Sequence, residues 1–315
     1  MNRRYFFFGA LSTMAVSCNK AARESSATVS IVKAASYSVE LTSVIKNILL
    51  EHRVAITGKN VILKPNLVEF SPDAPINTNP AFVAAAAEAF HSLGAGSVRI
   101  AEGPGHRRMT LDMAEAAGFF SAIPRFESRF TDLNLDEVTK TEFKHPFSTL
   151  ASLYLPHTVL AADLLVSLPK MKTHHWAGAT LSMKNLFGVV PGGVYGWPKN
   201  VLHWAGIDES VADLHSVFAN QFCLVDGIEA MEGNGPILGT RKHMGLIVAG
   251  SHPPSVDAAC CQIMKIDPKK VRYLTLAAST TRLNIYHPKQ IGEDIQSVSA
   301  KFALHPDLEN KYRLS

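Results

Sequence analysis

The sequence predicts an α/β protein built on a largely parallel, doubly wound sheet with a smaller antiparallel flap or second lobe. Three observations predict it. Short, continuously apolar runs, such as VIL at 61–63 and LLV at 164–166, have the pattern of strands buried on both faces. Between such runs lie stretches with apolar residues at helical spacing. Polar clusters follow the apolar runs rather than being scattered, as expected where loops at the carboxyl ends of parallel strands line one cleft.

Taken in order, residues 28–33 alternate apolar and polar like a first strand. In 40–52, Leu41, Val44, Ile45, Ile48 and Leu49 make one helical stripe. Residues 60–64 form a second strand, closed by Pro65, which has no N–H for a sheet ladder. An alanine-rich helix spans 80–93, with Pro80 suited to its first turn and Gly94 and Gly96 ending it. Residues 97–101 read as a third strand. The middle is expected to hold a helix at 110–117 and short strands at 131–135, 139–143 and 152–155, the antiparallel flap. The strand from 163 is stopped by Pro169, and 170–175 is expected as its loop. A short helix carrying Lys184 and Asn185, a glycine-rich loop at 189–197 and a helix at 207–218 follow. Strands are expected at 221–225, ending in Asp226-Gly227, and at 245–249, with helices at 255–264 and 268–278 and short strands within 289–302. No repeat of fixed period occurs. One domain is expected over 28–303, with lobes of about 28–156 and 157–303 as its subdivision, and a tail at 304–315.

The composition fits a globular chain: 315 residues, 47% hydrophobic and 18% charged, enough for a large core. The formal charge is +4; without Arg3 and Arg4, which lie in a targeting segment, it is +2, too little and too scattered for a nucleic-acid partner. Residues 1–18 read as a signal peptide: a basic start, an apolar run too short to span a bilayer, then small residues before Cys18. Ala15-Val16-Ser17-Cys18 resembles a bacterial lipobox with Cys18 as the lipidated residue, and Arg3-Arg4 resembles a twin-arginine export signal. An ordinary signal peptide with two adjacent arginines is the plainer alternative. Residues 19–27, small and polar toward their end, would tether the domain. These features predict an exported, extracytoplasmic, membrane-anchored lipoprotein. Cys223, Cys260 and Cys261 contain no C-x-x-C, which argues against an iron–sulfur cluster or structural zinc; at least two are expected as buried small hydrophobes.

The polar clusters carry the chemistry. Lys64 and Asn66 follow the second strand, Glu102 the third, Lys170, Lys172 and His174 the fourth, and Asp226 and Glu232 the fifth. With Lys184, these lysines suit an anionic phosphate or carboxylate, the expected small-molecule partner. Backbone N–H groups at Gly192 and Gly193 are candidates to approach the same anion. Asn79, Asn185 and His203 complete the candidate binding set. His174, Asp226 and Glu232 are the candidate ligands for a divalent metal, although no diagnostic spacing such as H-E-x-x-H is present. The plain readings are solvated lysines, a strand-end cap at Asp226 and an outward-pointing Glu232. No G-x-S-x-G elbow, Walker sequence or complete dinucleotide fingerprint occurs, and a lysine with a lowered pKa is left as base or Schiff-base former.

Several blocks in fixed order carry a family resemblance: Lys64-Pro65-Asn66-Leu67, Thr78-Asn79-Pro80, Leu168-Pro169-Lys170-Met171-Lys172-Thr173-His174, Met183-Lys184-Asn185-Leu186-Phe187-Gly188, Asp226-Gly227-Ile228 with Glu232-Gly233-Asn234-Gly235-Pro236, and Val256-Asp257-Ala258. Together they resemble the domain of unknown function 362 family over nearly the whole mature chain. The resemblance implies a domain rather than a reaction. Some relatives resemble fusions with a ferredoxin-type module, which points toward redox or cofactor chemistry; this chain lacks that cysteine run. The leading expectation is an enzyme in which Lys170, Lys172, His174 and Lys184 hold substrate while Asp226 and Glu232 do acid–base or metal work. The rival is a non-catalytic accessory or cofactor carrier for a redox partner.

Overall fold

The computed structural model describes residues 25–105 and 109–313. The proposed signal peptide, Cys18 and most of the tether lie outside the described residues. Twelve strands occur among them: β1 (Thr28–Lys33), β2 (Asn60–Pro65), β3 (Ser97–Glu102), β4 (Phe130–Asp132), β5 (Val138–Glu142), β6 (Ser152–Pro156), β7 (Leu164–Leu168), β8 (Lys170–His174), β9 (Gly178–Thr180), β10 (Gln221–Asn234), β11 (Leu238–Gly250) and β12 (Lys289–Gly292). Ten of them share one sheet, whose main path runs β12-β1-β11-β10-β7-β2-β3-β4, with β8 and β9 joined through β10. The run from β10 through β7, β2, β3 and β4 is parallel, while β11 is antiparallel to both β10 and β1. β5 and β6 form a separate antiparallel pair.

Both faces of the central strands are apolar, so helices cover both. Val61 and Leu63 of β2 and Val166 and Leu168 of β7 face α1 (Leu41–Glu51), α2 (Pro80–Ser92) and α3 (Thr110–Ala116). Ile62 and Leu165, one residue out of phase, join a cluster on the opposite face with Leu186, Leu202 and Leu214. Farther along the sheet, Ile31, Cys223, Val225 and Val248 pack against the helix Pro253–Ile263. This two-sided burial defines the doubly wound architecture. All three cysteines among the described residues are buried and free.

α2 starts as its sequence dictates: Pro80 occupies the first turn, and the Asn79 side chain accepts from the Ala81 N–H at 2.9 Å. Elsewhere the structure corrects the expectation. β4 belongs to the main sheet beside β3, so the flap holds only β5 and β6. Residues 170–174 are not a loop. Pro169 interrupts the ladder with β2, but the chain stays extended and β8 pairs with β10 and β9. β10 likewise does not end at Asp226-Gly227. It continues to Asn234 and forms a long hairpin with β11, with an irregularity in register between Gly227 and Glu229. The last helix before β12 spans only Arg272–Ser279, and Ile295–Val298 is helical rather than extended.

Candidate functional site

The chain leaves β2 and winds outward through β3 and β4, then returns at β7 on the other side of β2 and winds outward through β10 and β11. The carboxyl ends of strands flanking such a reversal leave a crevice. Here it is a cavity of about 540 Å³, within the size range of small-molecule sites.

Lys64, at the end of β2, is 1% exposed. Its Nζ donates to Glu102 Oε2 at the end of β3 (2.5 Å), to Asn185 Oδ1 (3.2 Å) and to the Pro65 carbonyl (2.9 Å), which uses all three of its protons. Glu102 also accepts from the Leu67 and Gly103 N–H groups at 3.1 and 2.8 Å. Asn185 donates to the Lys64 carbonyl and to Ser167 Oγ and accepts from Asn66 Nδ2 at 3.2 Å. Asn66 Oδ1 and Thr180 Oγ1 have no hydrogen-bond partner among the described residues. Among the described residues Glu102 is the single carboxylate lining the cavity, and its charge is already matched by Lys64.

Opposite lies the segment 186–204. Lys199 has a left-handed backbone (φ 67°), and its Nζ donates to the Gly103 carbonyl at 2.5 Å and to the Gly188 carbonyl at 3.4 Å. Burial brings its pKa down to about 7, although Glu102 works the other way. Lys184 sits on a one-turn helix, Ser182–Asn185, whose first N–H groups are held by the Asp257 carboxylate (Ser182 N at 2.8 Å, Met183 N at 3.0 Å). The Lys184 ammonium lies 3.6 Å from the centre of the Phe187 ring. No carboxylate or other acceptor among the described residues bonds it. Burial lowers its pKa to about 7, and Lys64 adds repulsion against the opposing effect of Asp208.

His174 accepts the Trp176 and Ala177 N–H groups at Nδ1 (3.1 and 3.2 Å), which assigns its proton to Nε2 in the neutral ring. Burial, reinforced by Lys184, His175 and Lys172, holds its pKa well below the ordinary value, so the ring is neutral near pH 7. His175 is anchored by Nδ1 to the Gly235 carbonyl. His203 packs edge-on against Trp176 and Phe187, and burial lowers its pKa too. Trp176 and Trp204, 56% and 82% exposed, stand at the mouth.

Lys64, Asn66, Glu102, His174, Lys184, Asn185 and His203 are therefore brought together on one cavity, and the remaining candidates are not. Lys170 forms a buried pair with Asp226 (2.5 Å) and bonds Tyr37 Oη (2.9 Å), with Asn79 donating its N–H to Asp226, in a separate small pocket. Lys172 is spent on the Ile76 and Pro236 carbonyls. Glu232 sits far out on the β10–β11 hairpin, paired with Lys242 and accepting the Ala303 N–H. The acidic stretch from Asp226 to Glu232 is thus part of β10 and does not line the cavity. The Gly192 and Gly193 amides are bonded to Asn134 and do not line the cavity, because their segment is folded against that residue. The proposed metal ligands His174, Asp226 and Glu232 lie apart, and no group of three His, Cys, Asp or Glu side chains fit to hold a metal occurs among the described residues. Sequence reasoning missed Lys199, Phe187 and Thr180. The turn-forming Trp197-Pro198-Lys199-Asn200 beside a glycine-rich run was the one local signal for Lys199.

Fold and cavity define a doubly wound α/β protein with a cation-rich pocket at the carboxyl edge of its parallel strands. The chain belongs to the family described as Domain of unknown function (DUF362), which matches residues 61–262. It is 29% identical over 223 residues to the thylakoid-associated protein sll1697 of Synechocystis sp., an alignment that takes in 68% of this chain and 65% of that one, so the chain spans somewhat less than two thirds of its relative. Among solved structures, it is similar to the lactate racemase apoprotein of Thermoanaerobacterium thermosaccharolyticum (13% identity, TM-score 0.49, 77% of this chain and 58% of that one). It is also similar to a protein of Thermotoga maritima (11% identity, TM-score 0.40, 79% and 60%).

Proposed function

We propose that the strand-end cavity binds a small molecule with an anionic group and an apolar body, and that the protein is an enzyme acting on it. The observation that carries this reading is the convergence of Lys64, Lys184, Lys199, His174 and His203 on a cavity whose single carboxylate is already neutralised. Lys184 and Lys199, each charged in about half of the molecules near pH 7, favour a negative ligand, which in turn draws both amines toward the charged form. After internal bonds are counted, Lys184, the third Lys199 proton, the His174 Nε2–H and one Asn66 amide proton remain for a ligand, and the Trp176, Phe187 and Trp204 rings supply apolar surface. Groups able to gain or lose a proton near neutrality, Lys184 and Lys199, suit acid–base work.

Mass spectrometry of small molecules that copurify with the protein tests this. An organic acid or phosphate ester is expected, retained by the wild type and lost from Lys184→Ala while the melting temperature holds. A neutral ligand would sink the reading. A bound metal or chromophore would instead favour a carrier serving a redox partner. The proposed location is extracytoplasmic, with the domain held at a membrane through lipidated Cys18. Supporting it are the leader's pattern and the relative's description as thylakoid-associated; no described helix is long and apolar enough to cross a membrane.

A further inference from the structure

Five buried lysines surround the carboxyl edge, and four of them are occupied. Lys64 bonds Glu102, Lys170 bonds Asp226, Lys172 bonds the Ile76 and Pro236 carbonyls, and Lys199 bonds the Gly103 carbonyl. Lys184 alone has no acceptor among the described residues: its amine rests over the Phe187 ring and lines the cavity while the residue is only 9% exposed. A buried amine without an acceptor is costly unless it becomes neutral or meets a ligand. Burial as the main cause, with Lys64 as a further contribution, lowers its pKa to about 7, so near neutrality a large share of the amine is unprotonated and carries a lone pair.

We propose that Lys184 is a Schiff-base nucleophile for a 2-oxo acid held in the strand-end cavity, an inference that rests on the anion-binding reading above. The Nζ lone pair forms a C–N bond to the ketone carbon as the C=O π pair moves to oxygen, and that oxygen takes up two protons to match the two that the nitrogen gives up. The carbinolamine loses that oxygen as water, leaving a C=N bond to Lys184. No oxidant, reductant or metal is consumed. The His174 Nε2–H and the free Lys199 proton are the donors available to the substrate carboxylate and to the departing oxygen, and neutral His174 adds no competing cation beside the amine. The aromatic walls formed by Phe187, Trp176 and Trp204 fit a side chain larger than a methyl group.

The test is reductive trapping. The protein is incubated at neutral pH with pyruvate, 2-oxobutanoate or phenylpyruvate and cyanoborohydride, then digested and mapped. The expected product is one dominant adduct on the peptide bearing Lys184, heavier by the probe mass less one oxygen atom. It should form at least tenfold faster than adducts on exposed lysines such as Lys33 and be absent from Lys184→Arg. Trapping should slow as pH falls below about 7, where the amine is protonated. In parallel, phenylacetate, which has no ketone, is titrated by tryptophan fluorescence. Saturable quenching without a Lys184 adduct overturns the Schiff base and leaves the anion site standing. Absence of both overturns both. Lys184→Arg is checked by melting temperature, and if it is unfolded, protection of wild-type Lys184 from trapping by phenylacetate takes its place: unprotected labelling overturns the proposal.

Discussion

Gly188 has no room for a side chain: a Cβ there would run into Glu102 Oε1 and stand 2.5 Å from Lys64 Nζ. Gly188→Ala is therefore expected to push apart a buried ion pair. Breaking such a pair typically costs about 3–5 kcal/mol, so a Gly188→Ala chain should melt well below the wild type by calorimetry and lose anion binding. A variant with an unchanged melting temperature would mean that the pair yields without cost. Lys184 behaves in the opposite sense. The unfolded chain keeps this proton up to its ordinary value of 10.5, and the folded chain gives it up at about 7. Between those values the unfolded state binds more protons, so stability rises with pH, and the burial cost is fully present only below pH 7. Lys184→Met removes that cost while keeping the contact with Phe187. Its melting temperature should exceed the wild type's most below about pH 7, the gain fading toward about pH 10. A gain independent of pH would show that Lys184 is already paired.

Helices that carry a stripe, such as Leu41, Ile45, Ile48 and Leu49 in α1, declare themselves, because one buried face imposes one period. Central strands do so equally, since β2 and β7 are apolar on both faces. β8 and the outer half of β10 were not legible. Pro169 and Asp226-Gly227 read locally as breakers, yet pairing between β8 and β10 keeps both extended, and that contact is tertiary. The same misreading moved Lys170, Asp226 and Glu232 into the candidate site, whereas Lys64, Glu102 and Lys184 follow true strand ends or the turn beside them. Lys199 had no periodic signal, and only the folded segment 186–204 brings it to Gly103. Elements also hold the site from behind. Asp257, on Pro253–Ile263, lies outside the cavity lining but caps the helix turn that carries Lys184 and Asn185. Asp257→Ala leaves two buried N–H groups unpaired, at about 1–3 kcal/mol for each unsatisfied group. It should lower the melting temperature and weaken phenylacetate binding together; a loss of stability with full affinity would show that the turn is positioned by packing alone.

At the scale of the whole molecule, one sheet runs from β12 to β4, so the pocket is built from strands in both halves of the chain and depends on the complete domain. We propose that attachment to a membrane comes from outside that domain, through a lipidated Cys18. No described helix can cross a bilayer, and a formal charge of +2 after removal of Arg3 and Arg4 from the +4 chain is too small to hold it by charge alone. This leaves Cys18. Residues 19–27, fully extended, reach at most about 30 Å, so a lipidated Cys18 would keep the domain close to the membrane surface. In the native host, Cys18→Ala should move the protein from the membrane pellet to the supernatant. The wild type should withstand a high-salt wash that strips charge-bound proteins. The domain's melting temperature should be the same in both, because the core clusters are built from residues between Val29 and Tyr312. If the Cys18→Ala protein stays in the pellet through the same wash, attachment resides in the domain, and its exposed Trp176 and Trp204 become the surface to mutate next.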